Sequence, residues 1–218
     1  MDRRQSFLVP LGAALALAAC ATSDIQHTNP GHYSTEYNVI LKENFDAVWL
    51  RLVKNLASDF FVINNIEKDS HIINVSFSSS TPSEFIDCGK STRTFSNLRG
   101  TQNVIYNTAD STNFTVTSST NLVYYASRKT YLEGRSNIYV APNQNGTEIN
   151  VNTKYVLSIK IRLTDVRGRP AGTTEYNYDF TTKRPLDQMA SFKGSLRKMK
   201  CVTNGKLEKL ILDYARPK

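Results

Sequence analysis

Histidine is almost absent from this chain. His27, His32 and His71 are the only three, and no two stand at a spacing suited to a metal site or a catalytic pair. Histidine-based acid–base or nucleophilic chemistry is set aside on that ground, and no resident metal is expected. Glycine and proline are scarce too, at 10 and 7 of 218 residues, which excludes collagen-like and low-complexity chains. The apolar run from Phe7 to Ala19 falls short of the roughly 20 residues that a membrane-spanning helix needs. There is no Gly-rich phosphate loop and no Gly-x-Ser-x-Gly elbow, and Glu84, Asp87 and Asp110 form no recognisable carboxylate pair. The reading is therefore non-enzymatic and cofactor-free. An apolar fraction of 40% and a net charge of +8 describe a chain that can build one core and favours acidic partners.

Cysteine is the next shortage, with three residues, an odd number. The first of them closes an export signal: basic Arg3 and Arg4, the apolar run, then small residues before Cys20. Leu17-Ala18-Ala19-Cys20 resembles the lipobox of bacterial lipoproteins. That resemblance implies cleavage of the signal peptide 1–19, acylation of the Cys20 sulfur, and, with Ala21 and not Asp next in the chain, the outer membrane with the domain facing the periplasm. Loss of Asp2, Arg3 and Arg4 lowers the charge from +8 to +7. Two or three acyl chains hold a protein stably, so the domain is expected to need no membrane-binding face of its own. Export removes nucleic acid from the partners and leaves an acidic lipid or polyanion among them. Cys88 and Cys201 are expected to form a disulfide in an oxidising periplasm, the alternative being a nucleophilic Cys88.

Residues 20–36 are polar, contain Pro30-Gly31 and read as a flexible tether, with His27 and His32 as solvated linker residues. The folded domain, 37–218, opens on a short strand at Tyr37 to Leu41. Phe45, Val48, Trp49, Leu52, Val53 and Leu56 then predict a helix from about Asn44 to Ser58, capped by Asn44, with Arg51, Lys54 and Asn55 on its polar face. Phe60 to Ile66 and His71 to Ser78 predict a β-hairpin. A Ser/Thr/Asn-rich insert, about 79–127, fits either a mobile segment or exposed strands and is expected to have low order. Tyr131 to Ala141 and Thr147 to Thr164 predict two further strands, the second the longest in the chain and bulged near Lys154-Tyr155. In Thr173 to Thr182, Tyr176, Tyr178 and Phe180 share one face. Leu207, Leu210, Ile211 and Tyr214 predict a last helix from about Asn204 to Arg216.

Strand, helix, antiparallel strands and terminal helix together predict an α+β fold: a single helix-grip-like domain, its curved antiparallel sheet packed on an N-terminal-half helix and a C-terminal helix. With the lipobox and tether, this order resembles the lipoproteins of the BamC-like kind, and that resemblance implies a link to outer-membrane assembly. The expected function is a lipid-anchored periplasmic accessory or scaffold that binds an envelope protein or complex. Its candidate surface is the basic hairpin of Lys160, Arg162, Arg167 and Arg169 with the tyrosines Tyr176 and Tyr178. The alternative is a module that binds lipid or another apolar ligand between sheet and terminal helix.

Overall fold

A computed structural model describes residues 21–192 and 195–217. The signal peptide and Cys20 lie outside the described residues. Among those residues the chain forms thirteen strands and two helices, an α+β domain of antiparallel sheets. In chain order these are β1 (Thr22–Thr28), β2 (Asn38–Leu41), α1 (Phe45–Ala57), β3 (Val62–Glu67), β4 (Ile72–Ser79), β5 (Ile86–Asp87), β6 (Lys90–Asn97) and β7 (Gly100–Asn107). There follow β8 (Thr112–Thr117), β9 (Val123–Asn143), β10 (Gly146–Asp165), β11 (Pro170–Thr181), β12 (Leu186–Phe192), β13 (Ser195–Thr203) and α2 (Lys206–Ala215).

The long hairpin β9–β10 is the spine of a seven-stranded sheet. Along β10, β2 and β11 pair end to end; along β9, β8 and β4 do the same, and β3 closes the edge beyond β4. Burial alternates strictly along the spine. Thr147, Ile149, Val151, Thr153, Tyr155, Leu157, Ile159 and Ile161 are the buried members of β10, and each intervening residue faces the other way. The bulge expected at Lys154-Tyr155 is therefore absent, and pairing with β9 runs through in one register. Apolar Val156 made the phase look broken, whereas Thr153 and Tyr155 are the inward residues that preserve it. The longest strand is β9, at 21 residues, one more than β10.

The inner face of the sheet carries both helices. Asn44 caps α1 as its composition suggested, its side-chain oxygen accepting from the Ala47 amide at 2.9 Å, with Asp46 in the first turn. Val48, Trp49, Leu52 and Leu56 are buried against the sheet and α2. The polar face of α1 is not simply solvated. Arg51 Nε donates to the Ala215 carbonyl and Asn55 Nδ2 to the Tyr214 carbonyl, both at 2.8 Å, so two α1 side chains satisfy the orphan C-terminal carbonyls of α2. Between helices and sheet, Tyr155, Leu207, Ile211 and Leu212 are fully buried, and the rings of Phe60, Phe61, Phe77 and Phe85 pack edge-on and stacked beside them. Each fully buried aliphatic or aromatic side chain contributes on the order of 2 kcal/mol.

Two expectations of low order are corrected. Thr22–Thr28, read as part of the tether, is a strand paired with β6 over its whole length, from Thr22 with Ser96 to Thr28 with Lys90. The insert 79–127 contributes β5 to β8, and β6 joins β1 and β7 in a separate three-stranded sheet. Hydroxyl and amide side chains hold this small sheet across its strands. Ser91 and Thr108 hydroxyls lie 2.8 Å apart, Thr94 donates to Asn103 at 2.8 Å, and Ser96 and Thr101 meet at 2.9 Å. Polar cross-strand pairs leave no apolar alternation to read. His27 is correspondingly not a solvated linker residue: it lies half-buried, with Nδ1 3.3 Å from both the Ser91 and Thr108 hydroxyls.

Candidate partner surface

The basic and tyrosine residues singled out in the sequence do not point to one face of the sheet, although Lys160 and Tyr176 border one cleft. In the β10–β11 register Lys160 stands opposite Glu175, and Tyr176 opposite Ile159. Odd residues of β10 face inward, so Tyr176, Tyr178 and Phe180 point into the core while Lys160 and Arg162 point outward. Tyr178 is only 8% exposed and stacks on Tyr176 at 6.2 Å between centroids. Burial raises its hydroxyl pKa, with Tyr176 adding to the effect. A tyrosine packed this way is core. Of the basic residues, Lys160 is ion-paired with Glu175, and Arg169 with Asp165 at 2.7 Å. Asp165 accepts the Arg169 and Arg167 amides and the Arg169 side chain, and the Arg169 bonds lead in holding its carboxyl below the usual range. Arg162 and Arg167 are exposed, one on the strand and one at the turn.

What the sheet presents outward is a different set of tyrosines. Tyr125, Tyr131 and Tyr139, all odd residues of β9, lie on the face opposite the helices and are exposed. Ile40 of β2 and Ile72 of β4 are exposed with them. Around Tyr131 the face is slightly hollow, a cleft of about 280 Å³ lined by Lys129, Tyr131, Ser158, Lys160, Glu175 and Asn177 among others. Ser158 donates to Asn177 at 2.8 Å across its floor, and Lys154 pairs with Asp179 at 3.3 Å further along. The signal for this set was the alternation of Tyr139 with Ile138 and Val140. It marked the outward phase of β9, but composition alone could not say that this face stays open.

Cys88 and Cys201 are disulfide-paired, with Cα atoms 4.1 Å apart and a separation of 113 positions in sequence. The pair joins the end of β5 to β13 just before α2, and both cysteines are buried. Beside it lies a cleft of about 320 Å³ that includes Thr28, Gly31, Tyr33, Asp87, Gly89 and Asn204. Its carboxylate is fully engaged. Asp87 accepts from the Gly31 amide at 2.8 Å, the Tyr33 hydroxyl at 2.9 Å and the Gly89 amide at 2.7 Å. Asp87 thus clamps the segment after β1 onto β5, and its bond holds the Tyr33 proton and raises that hydroxyl's pKa. Asp110 plays a similar part, accepting from the Ser83 amide at 2.9 Å and the Asn107 side chain at 3.2 Å. No group of three or more His, Cys, Asp or Glu side chains could hold a metal ion among the described residues.

Two buried arginines seam the small sheet to the large one. Arg128 donates to the Asp110 carbonyl and, at 2.6 Å, to the Thr108 carbonyl. Arg93 lies over the Phe114 ring at 4.4 Å. Burial lowers the Arg128 pKa, partly opposed by Tyr106. No described helix is long and apolar enough to cross a membrane. No protein-family model, curated protein or solved structure matches the chain.

Proposed function

We propose that the protein is an exported scaffold of the bacterial cell envelope, acylated at Cys20, held to the outer membrane, and binding an envelope protein through the open face of its seven-stranded sheet. The observation that carries this reading is the asymmetry of that sheet. Helices cover one face, and the other is left with Tyr125, Tyr131 and Tyr139 in solvent. Exposed tyrosines amid mixed charge are the composition of a protein–protein surface. The Cys88–Cys201 disulfide agrees with an oxidising compartment. The helix-grip description and a role in outer-membrane assembly belong to the same proposal, supported by the packing of α2 against β10. The apolar-ligand alternative has less support, because Tyr155, Leu207, Ile211 and Leu212 pack against one another where a ligand would sit.

Tyr131→Ser with Tyr139→Ser tests the reading in native membranes solubilised in mild detergent. The wild-type protein should co-purify with one stoichiometric partner, and the double variant should lose it while its unfolding free energy moves by no more than about 1 kcal/mol. A lone wild-type monomer, or a partner retained by the variant, overturns the proposal.

A further inference from the structure

The chain leaves no slack between the acylated cysteine and the fold. Ala21 is already buried and β1 begins at Thr22, so a single residue separates Cys20 from a paired strand. At no more than about 3.6 Å per residue, the anchor lies within roughly 7 Å of Thr22. Whichever end of the domain holds Thr22 must therefore sit at the membrane.

The strand registers identify that end. Thr22 pairs with Ser96, two residues before the β6–β7 turn at Leu98-Arg99. Ser23 lies against the end of β8, accepting from the Thr117 amide at 2.8 Å, so the β8–β9 turn at Ser118–Leu122 is at the same end. Tyr124, at the start of β9, pairs with Asp165, which places the β10–β11 turn at Val166-Arg167 beside it. Each of these three turns holds an aliphatic side chain out in water: Leu98 is 82% exposed, Leu122 58% and Val166 64%. Arg99 and Arg167 flank two of them and are exposed. The turns at the other end, Lys68 to Ser70 and Gln144-Asn145, have only polar residues at their tips.

We propose that this end is a membrane-docking surface, in which Leu98, Leu122 and Val166 enter the headgroup region of the bilayer and Arg99 and Arg167 meet its phosphates. The proposal rests on the reading of Cys20 as the acylated residue. Three short aliphatic wedges with flanking arginines suit an anionic lipid surface better than a protein groove, because they stand on separate turns and enclose no pocket. Docking at this end stands β9 away from the bilayer, with the open tyrosine face running along its length, up to about 65 Å if straight. Under this proposal the domain contributes a membrane-facing surface beside the acyl anchor, where the sequence alone offered no reason to expect one.

The test uses the full processed chain purified from the envelope and reconstituted into phosphatidylethanolamine–phosphatidylglycerol vesicles, with amide hydrogen exchange read against the same chain in detergent. Mass spectrometry of the N-terminal peptide first reports the lipid on Cys20. With lipid present, amides of 97–100, 118–122 and 165–169 should exchange about tenfold more slowly in vesicles, and those of 67–71 and 142–146 should be unchanged. Leu98→Ser, Leu122→Ser and Val166→Ser together should abolish the protection while the disulfide and the exchange of β9 and β10 stay as in the wild type. Equal exchange at both ends of an acylated chain overturns the docking and leaves acylation standing. A chain without lipid overturns both.

Discussion

Among the described residues Glu208 is the one carboxylate buried to complete exclusion of water, and three hydroxyls make its position tenable. Oε1 accepts from Tyr155 at 2.8 Å and from Thr182 at 2.7 Å, and Oε2 accepts from Thr203 at 3.0 Å. Gly205, the residue before α2, supplies no side-chain cap, so Glu208 in the first turn is the negative group that faces the positive end of the helix dipole. Glu208→Ala takes the acceptor from two buried hydroxyls, Tyr155 and Thr203, and from the half-buried Thr182 hydroxyl, and should cost about 3–5 kcal/mol in denaturant unfolding; Glu208→Gln, which keeps an acceptor and can donate to Thr203, should cost about half as much. Burial, reinforced by the Glu208 charge, raises the Tyr155 hydroxyl well above its ordinary value near 10. The unfolded chain therefore loses this proton first as pH rises. Stability contributed by neutral Tyr155 is whole below pH 10 and falls above it, by about 1.4 kcal/mol per pH unit until the folded group also titrates. Tyr155→Phe should lie about 1 kcal/mol below wild type at pH 8, and the gap should narrow or invert by pH 11 as followed by urea melts at each pH. A gap that widens with pH would show that Tyr155 is not held neutral in the fold.

At the scale of elements, the regular pieces were legible and the exceptional ones were not. The apolar period from Phe45 to Leu56 placed α1 within a residue or two at each end, because a helix packed on one face writes its burial directly into the sequence. The same held for the β3–β4 hairpin and for α2. The small sheet was unreadable for the opposite reason: it is held by hydroxyl pairs and by Arg93 and Arg128, residue types that mark a solvated loop as readily as a strand. The outward candidates failed by one strand phase, since Tyr176 and Tyr178 look adhesive in a list of side chains and become core once β11 pairs with β10. Gly134 is a further case. It sits mid-strand in β9, directly opposite Phe77 on β4, and a Cβ there would come within 1.9 Å of the Phe77 ring. The ring covers the glycine, which is why so long a strand tolerates one. Gly134→Ala should expel or tilt Phe77 and cost about 2–3 kcal/mol, whereas Gly134→Ala in a Phe77→Leu background should cost clearly less. Equal costs in both backgrounds would mean that the ring is not what reserves the position.

For the whole molecule, the disulfide decides how the two ends of the sequence answer to each other. It bridges a sequence separation of 113 and joins the strand that leads into α2 to the β5 segment held by Asp87. In the chain-entropy model a loop of that size constrains the unfolded state by about 4–5 kcal/mol. Cys88→Ala with Cys201→Ala should therefore lower the unfolding free energy by about 4 kcal/mol. It should also raise the denaturant dependence, because the uncrosslinked unfolded chain exposes more surface. Since both sulfurs are buried, mild reductant should leave the native protein intact and act only after unfolding, so that reduction and unfolding proceed together. Reduction of the bond in a chain that stays folded would show instead that β13 opens locally. That outcome matters beyond stability. The bond fastens the N-terminal side of α2, while Arg51 and Asn55 fasten its C-terminal side, and a helix held at both ends keeps the inner face of the sheet closed and leaves the outer face open.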